Sequence, residues 1–238
     1  MAAPKRFFAE HISEEVVLAG EEFRHAKNVL RLAEGDEATL LDGGGFEYPA
    51  VIARVGKNDM TLHVIGKRLS DKEPKTDLYL LIGALKGDKT ELVVQKSVEL
   101  GAKKIGVFSS RYCAAYMNEN KLERLNKVAR EAAKQCLRAT APEVVYFDNA
   151  ASAFASAEGY ACKLFACEFL DRSECGIPAD QASYALVVGS EGGFTEEEFA
   201  CAKAAGFAGI SLGKRILRAE TAAIAFLSVT AYLAGELQ

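Results

Sequence analysis

Hydrophobic and polar positions follow two different rhythms along this chain. In the first third, Glu37–Asp42, Glu47–Val55 and Met60–Gly66 are short β-prone runs. Gly43-Gly44-Gly45 and Lys57-Asn58-Asp59 separate them and predict turns. Ahead of them, Glu21 to Leu32 predicts a helix that ends at Gly35. Closely spaced strands with turn punctuation fit a compact β-barrel.

The polar stretch Lys72-Glu73-Pro74-Lys75-Thr76 marks a boundary, which divides the chain into residues 1–73 and 74–238. Beyond it, Leu78–Leu85 is a continuous apolar run, as expected of a parallel strand buried on both faces. Asp88 then reads as an N-cap with Glu91 three residues on, and Gly101 ends that helix. Further strands are predicted at Ile105–Ser109, Val144–Phe147, Lys163–Glu168, Tyr184–Val188 and Gly209–Leu212, with helical segments between several of them. Strand–helix alternation predicts a parallel α/β sheet. The last helix, Ala219 to Ala234, is apolar almost all round and too short to span a bilayer. Such a helix is expected to be buried on every side, in a core or against another subunit.

Composition narrows this little. The net charge of −4 gives no overall basic signal, so nucleic-acid contacts must come from local faces. The six cysteines form no Cys-x-x-Cys pair, and with three histidines there is no metal-ligand spacing. The N-terminus lacks an apolar h-region and a cleavage site, so a cytoplasmic location with reduced thiols is expected.

Two stretches carry candidate chemistry. In Val188-Gly189-Ser190-Glu191-Gly192-Gly193-Phe194-Thr195-Glu196-Glu197-Glu198-Phe199 a strand ends in a glycine-rich turn and a helix begins. Thr195 and Glu198 form a capping box, with Phe194 and Phe199 at the staple positions. Glycines at a strand's carboxyl end let a ligand approach the backbone, although a tight turn without a ligand reads the same way. In Leu212-Gly213-Lys214-Arg215-Ile216-Leu217-Arg218-Ala219-Glu220-Thr221-Ala222 a second strand end carries Ile216-Leu217 between two arginines. That pairing suggests a loop partly buried against something; an Arg218–Glu220 salt bridge at a helix start is the plainer alternative. There is no Gly-x-Gly-x-x-Gly, Walker A or Gly-x-Ser-x-Gly sequence, which argues against the usual dinucleotide, P-loop and hydrolase sites.

These two motifs resemble those of the SPOUT methyltransferases, most closely the bacterial enzymes that methylate N3 of a uridine in 16S ribosomal RNA. Arg6-Phe7-Phe8, His25 through Val29-Leu30-Arg31, Gln95-Lys96-x-x-Glu99-Leu100-Gly101 and Gln135-Cys136-x-Arg138 extend the likeness along almost the whole chain. Ser190 stands where that family usually has Pro, and Lys134 where Glu is common. The resemblance implies an N-terminal PUA-like barrel and an α/β domain with a C-terminal trefoil knot. It also implies S-adenosylmethionine as cofactor and a homodimer formed through the C-terminal domain.

On that basis Val188, Gly189, Glu191, Gly192, Gly193, Leu212, Gly213, Ile216, Leu217 and Arg218 are expected to hold the cofactor. Arg218 is expected to stabilise charge on a uracil carbonyl, with Glu191 or Glu220 taking the N3 proton. On a helical wheel, Leu122, Leu125, Ala129, Ala132, Ala133 and Cys136 fall opposite Arg124, Lys127, Arg130, Lys134 and Arg138. Arg24, Lys27 and Arg31 share a face of the first helix. Either face reads equally as solvated surface or as a phosphate contact. With Arg6 and Gln135 from the family motifs, Arg24, Lys27, Arg31, Arg124, Lys127, Arg130 and Arg138 are the expected contacts to 16S ribosomal RNA or the assembled small subunit. Neither DNA nor a membrane is expected as a partner. A ribose 2′-hydroxyl methyltransferase is the nearest rival; the Asn-x-Gly-x-x-x-Arg signature of such enzymes is missing from Lys86–Glu91. A non-catalytic RNA-binding assembly factor is the rival from another class.

Overall fold

The computed structural model describes residues 5–167 and 175–238. The chain forms two compact units, one of Met1–Glu73 with Ala133–Ala141, the other of Pro74–Ala132 with Pro142–Gln238.

The first unit is a six-stranded sheet built from β1 (Arg6–Phe8), β2 (Glu15–Ala19), β3 (Glu37–Leu41), β4 (Phe46–Val55), β5 (Asp59–Val64) and β6 (Arg68–Leu69). The order is β1-β3-β4-β5-β2, with β6 beside β4. Only the β1–β3 pair is parallel. Alternation sets its core: in β2, Val16 and Leu18 point inward to Phe7, Leu40, Ile52, Met60 and Leu62, while Val17 faces out.

The helix expected over Glu21–Leu32 is shorter. α1 (Gly20–Arg24) runs into one wide π-type turn, His25–Val29, and the chain then leaves helical geometry at Arg31, where φ is +54°. Gly35, at φ +87°, belongs to the following turn rather than to a helix cap.

Segment Ala133–Ala141 joins this unit through charge. Lys134 Nζ lies 3.1 Å from Glu22 Oε2, and Arg138 reaches Glu73 at 3.2 Å. Glu73 also accepts from the backbone N–H groups of Ala139 and Thr140. Arg6 donates to the Leu137 carbonyl at 3.2 Å and to Glu47 at 2.7 Å.

In the second unit, β7 (Asp77–Gly83), β8 (Lys104–Phe108), β9 (Glu143–Phe147), β10 (Cys162–Ala166), β11 (Ser183–Val188) and β12 (Ala208–Ile210) form one sheet, ordered β12-β10-β11-β7-β8-β9 and parallel throughout. β12 is shorter than the expected Gly209–Leu212, and Glu168 of the expected fourth strand lies outside the described residues. Helices α2 (Lys89–Glu99) and α6 (Ala219–Leu233) pack together, and α6 lies on β7 and β11. α4 (Ala150–Ala155) and α5 (Glu196–Ala204) cover a second aromatic-rich core, in which Phe154 and Phe165 meet Tyr79, Leu81 and Val187. α3 (Glu119–Gln135) is fastened by Asn126, which bonds both backbone groups of Val144, and by Arg124 against Glu91.

Two local expectations change. Asp88 stands at the N-cap of α2 but makes no side-chain cap, because its φ/ψ of −86°/6° is not the extended geometry a cap requires; Glu91 instead engages Arg124. The terminal helix is not buried all round within this chain: Val229 and Tyr232 are exposed along one side. Among the described residues no helix is long and apolar enough to cross a membrane.

Candidate active site

The chain runs outward from β7 through β8 to β9, crosses to β10 on the other side and moves in to β11, so β7 and β11 are neighbours at the point where strand order reverses. Open parallel sheets bind ligands beyond the carboxyl ends of strands at such points. Here those ends are in close contact. A Cβ on Gly83, the last residue of β7, would collide with the backbone of Ser190, just beyond β11.

The turn after β11 is fixed from several sides. A Cβ on Gly189 would meet the Phe194 ring at 2.8 Å, and Phe194 is buried against Phe165 with centroids 4.3 Å apart. Gly193 N–H donates to the Ser190 carbonyl, closing the turn with Gly193 at φ +68°. The capping box forms: Glu198 N–H donates to Thr195 Oγ1, and the Glu198 carboxylate accepts from Thr195 N–H. Ser190, in place of the family's usual Pro, is buried with its hydroxyl 3.2 Å from that of Ser110.

Beyond β10, β11 and β12 lies a cavity of about 340 Å³. Val188, Gly189, Glu191, Gly193, Leu212, Gly213, Ile216, Leu217 and Arg218 all line it; Gly192 does not. Ala166 and Cys167 form a third wall at the end of β10, and Ala219 and Ala222 of α6 complete the lining. Sequence reasoning missed that third wall because no glycine marks the end of β10. Gly213, at φ +103° with open space where a side chain would project, leaves its backbone accessible. Leu217 is half-buried, whereas Ile216 is 89% exposed, so the burial expected of the pair is supplied by this chain for Leu217 alone.

Lys89, which the sequence did not single out, organises the charge. Its Nζ lies 3.2 Å from Glu191 Oε1 and 3.7 Å from Glu220 Oε2. Glu191 Oε1 also accepts from Lys86 N–H at 3.1 Å. Burial pushes the Glu191 carboxyl up, but its own backbone N–H, that of Lys86 and the Lys89 ammonium outweigh it and hold the group below the usual carboxylate range. Glu220 is not on the cavity wall, and its Oε2 is buried without a hydrogen-bond donor. Glu220 thus pairs with Lys89, and not with Arg218 as the simplest reading of the sequence had it. Arg218 is exposed on the wall at the N-cap of α6. Among the described residues no cluster of His, Cys, Asp or Glu could hold a metal ion.

The expected RNA contacts divide into presented and buried groups. Arg24, Arg31, Arg124, Lys127, Arg130 and Gln135 are exposed, with Arg124 engaged by Glu91. Lys27 donates to the Gly56 carbonyl and lies over the Phe23 ring. Arg31, past the end of the helical turn, no longer shares a helix face with Arg24 and Lys27. Arg6 and Arg138 are corrections: at 7% and 3% exposure, with carboxylate partners at Glu47 and Glu73, they are structural charges with no surface to offer a phosphate. Lys134 is likewise buried, on Glu22.

One unit with a mostly antiparallel sheet, and another with a parallel sheet and a glycine-walled cavity, correspond to the PUA-like and catalytic domains of an RNA methyltransferase. The family model for the RNA methyltransferase domain matches residues 71–231, and that for the RNA methyltransferase PUA domain matches 18–65. The chain is 30% identical over 248 residues to ribosomal RNA small subunit methyltransferase E of Bacillus subtilis, covering 96% of each protein. It is also similar to the solved structure of that enzyme from Neisseria gonorrhoeae bound to S-adenosyl methionine, at a TM-score of 0.88, 29% identity, and 97% and 98% coverage of the two chains. A Legionella pneumophila methyltransferase solved with the same cofactor matches with a TM-score of 0.88 at 28% identity over 97% and 98% of the chains. This chain belongs to the ribosomal RNA small subunit methyltransferase E family.

Proposed function

We propose that this protein transfers a methyl group from S-adenosylmethionine to N3 of a uridine in small-subunit ribosomal RNA. The observation that carries the reading is the convergence of two glycine-bearing strand ends, after β11 and β12, on one cavity. Its volume of about 340 Å³ falls within the range of small-molecule pockets, roughly 300–1,000 Å³. Its lining suits the cofactor: glycine backbone on the wall at Gly189, Gly193 and Gly213, apolar side chains at Val188, Leu212 and Leu217, and, among the described residues, the carboxylate of Glu191.

When bound, S-adenosylmethionine supplies a methyl group already activated on a sulfonium, so the protein's task is alignment. Glu191, ionised and on the wall, offers negative charge to a cationic ligand. Arg218 can stabilise negative charge on a uracil carbonyl as N3 loses its proton to water and takes the methyl group, whose bond to the sulfonium breaks. Lys89 engages both carboxylates, and Glu191, held below the usual carboxylate range, is not set as a strong base. Arg24, Arg31, Lys127 and Arg130 are the basic groups proposed to meet phosphates. The C-terminal trefoil knot and a homodimer covering Val229 and Tyr232 of α6 belong to the same proposal.

Mass mapping of modified nucleosides in small-subunit RNA, with and without the gene, tests the reading. Loss of a single 3-methyluridine on deletion is the expected result. An unchanged map, or loss of a 2′-O-methyl or other base mark, overturns the N3 assignment.

A further inference from the structure

Gly192 is the one glycine of the turn that does not line the cavity, and the structure gives it another task. A Cβ there would lie 2.5 Å from the Cβ of Tyr112 and 2.8 Å from the Tyr112 carbonyl oxygen. The missing side chain makes room for Tyr112, between Glu191 and Gly193, which both face the cavity.

The segment carrying Tyr112 is fixed on either side of it. Ser110 Oγ is 3.2 Å from Ser190 Oγ, Arg111 N–H donates to Glu198 at 2.8 Å, and Cys113 Sγ donates to the Ala84 carbonyl at 3.1 Å. The backbone at Tyr112 is therefore tied to the turns after β7 and β11, yet the residue is 56% exposed. A pinned backbone under an exposed ring loses little conformational freedom on binding. A solvated surface tyrosine would not call for a glycine and three tethers around it.

The geometry points to Tyr112 as the platform on which the extruded target pyrimidine stacks beside the methyl donor. This rests on the proposed methyl transfer. Uracil N3 is engaged in pairing within a duplex, so the base must leave its stack to be methylated, and a flipped base is commonly held against an aromatic side chain. Stacking on one aromatic ring is sequence-tolerant and depends on the π face rather than on the phenol hydroxyl.

Steady-state methylation of small ribosomal subunits from a strain lacking the gene, paired with calorimetry for S-adenosylmethionine, tests the role. Tyr112→Ala is expected to lower kcat/KM for subunits by about ten- to a hundred-fold with cofactor Kd unchanged. Tyr112→Phe, which keeps the ring, is expected to stay within about two-fold of the parent. The chain has no Trp, so Tyr112→Trp adds a single reporter whose emission should be quenched by those subunits. Full activity of Tyr112→Ala, or equal loss in the Phe variant, or loss of cofactor binding in step with activity, overturns the platform. If the parent protein binds no cofactor and modifies no subunit, the methyl-transfer reading itself fails instead.

Discussion

Lys89 Nζ sits 3.2 Å from Glu191 Oε1, so a side chain at the start of α2 holds the only carboxylate that the described residues place on the cavity wall. The same ammonium lies 3.7 Å from Glu220 at the start of α6. One cation thus ties the glycine turn to two helix N-termini. Lys89→Met should weaken S-adenosylmethionine binding by about three- to ten-fold, with Lys89→Arg largely restoring it, as expected for one partly exposed charged contact. Calorimetry reads both; unchanged Kd in Lys89→Met removes the role.

The pH dependence follows from the sign of the Glu191 shift. Its folded carboxyl is held below the free value, so the negative charge persists as pH falls through the ordinary glutamate range and is lost only beneath it. Cofactor affinity should therefore be flat, as far as Glu191 is concerned, from about pH 8 to about pH 5. In Lys89→Met the decline should begin at higher pH.

Gly83 has no room for a methyl group against the Ser190 backbone. Gly83→Ala is expected to cost about 1–3 kcal/mol in urea unfolding, the usual range for overpacking, and to impair cofactor binding through the displaced turn. Gly213→Ala meets open space but adopts φ +103°, so it should strain the backbone locally and leave the sheet core intact.

Arg6 and Glu47, 2.7 Å apart and both buried, form a charge pair whose loss of one partner leaves an uncompensated ion. Burial raises the Glu47 carboxyl, but hydrogen bonds from Arg6, Arg68 and Ser70 outweigh it and set the group below its ordinary value. Arg6→Met should destabilise the protein by about 3–5 kcal/mol, measured by denaturant unfolding. Normal stability with weakened RNA binding would reverse the assignment of Arg6 as structural.

What could be read in the sequence was local. Thr195 and Glu198 declare a helix start because cap and partner are three residues apart, and the strand ends at Gly189 and Gly213 announce accessible backbone without reference to anything distant. Lys89 could not be found this way, since its partner Glu191 is 102 residues on. Nor could the transfer of Ala133–Ala141 to the first unit. The wheel that placed Lys134 and Arg138 on a basic face is correct for an isolated helix, but α3 stops at Gln135, and Glu22 and Glu73 take up those charges. The Ile216–Leu217 pair showed that a loop carries apolar surface, without saying what covers it.

The most direct measurement is a crystal structure of the protein with S-adenosylmethionine. Density for the cofactor is expected against the backbone of Gly189 and Leu212–Leu217, with its sulfonium on the side of Glu191 and Arg218. Cofactor bound elsewhere, or a cavity that stays closed to it at saturating concentration, contradicts the methyl-transfer site.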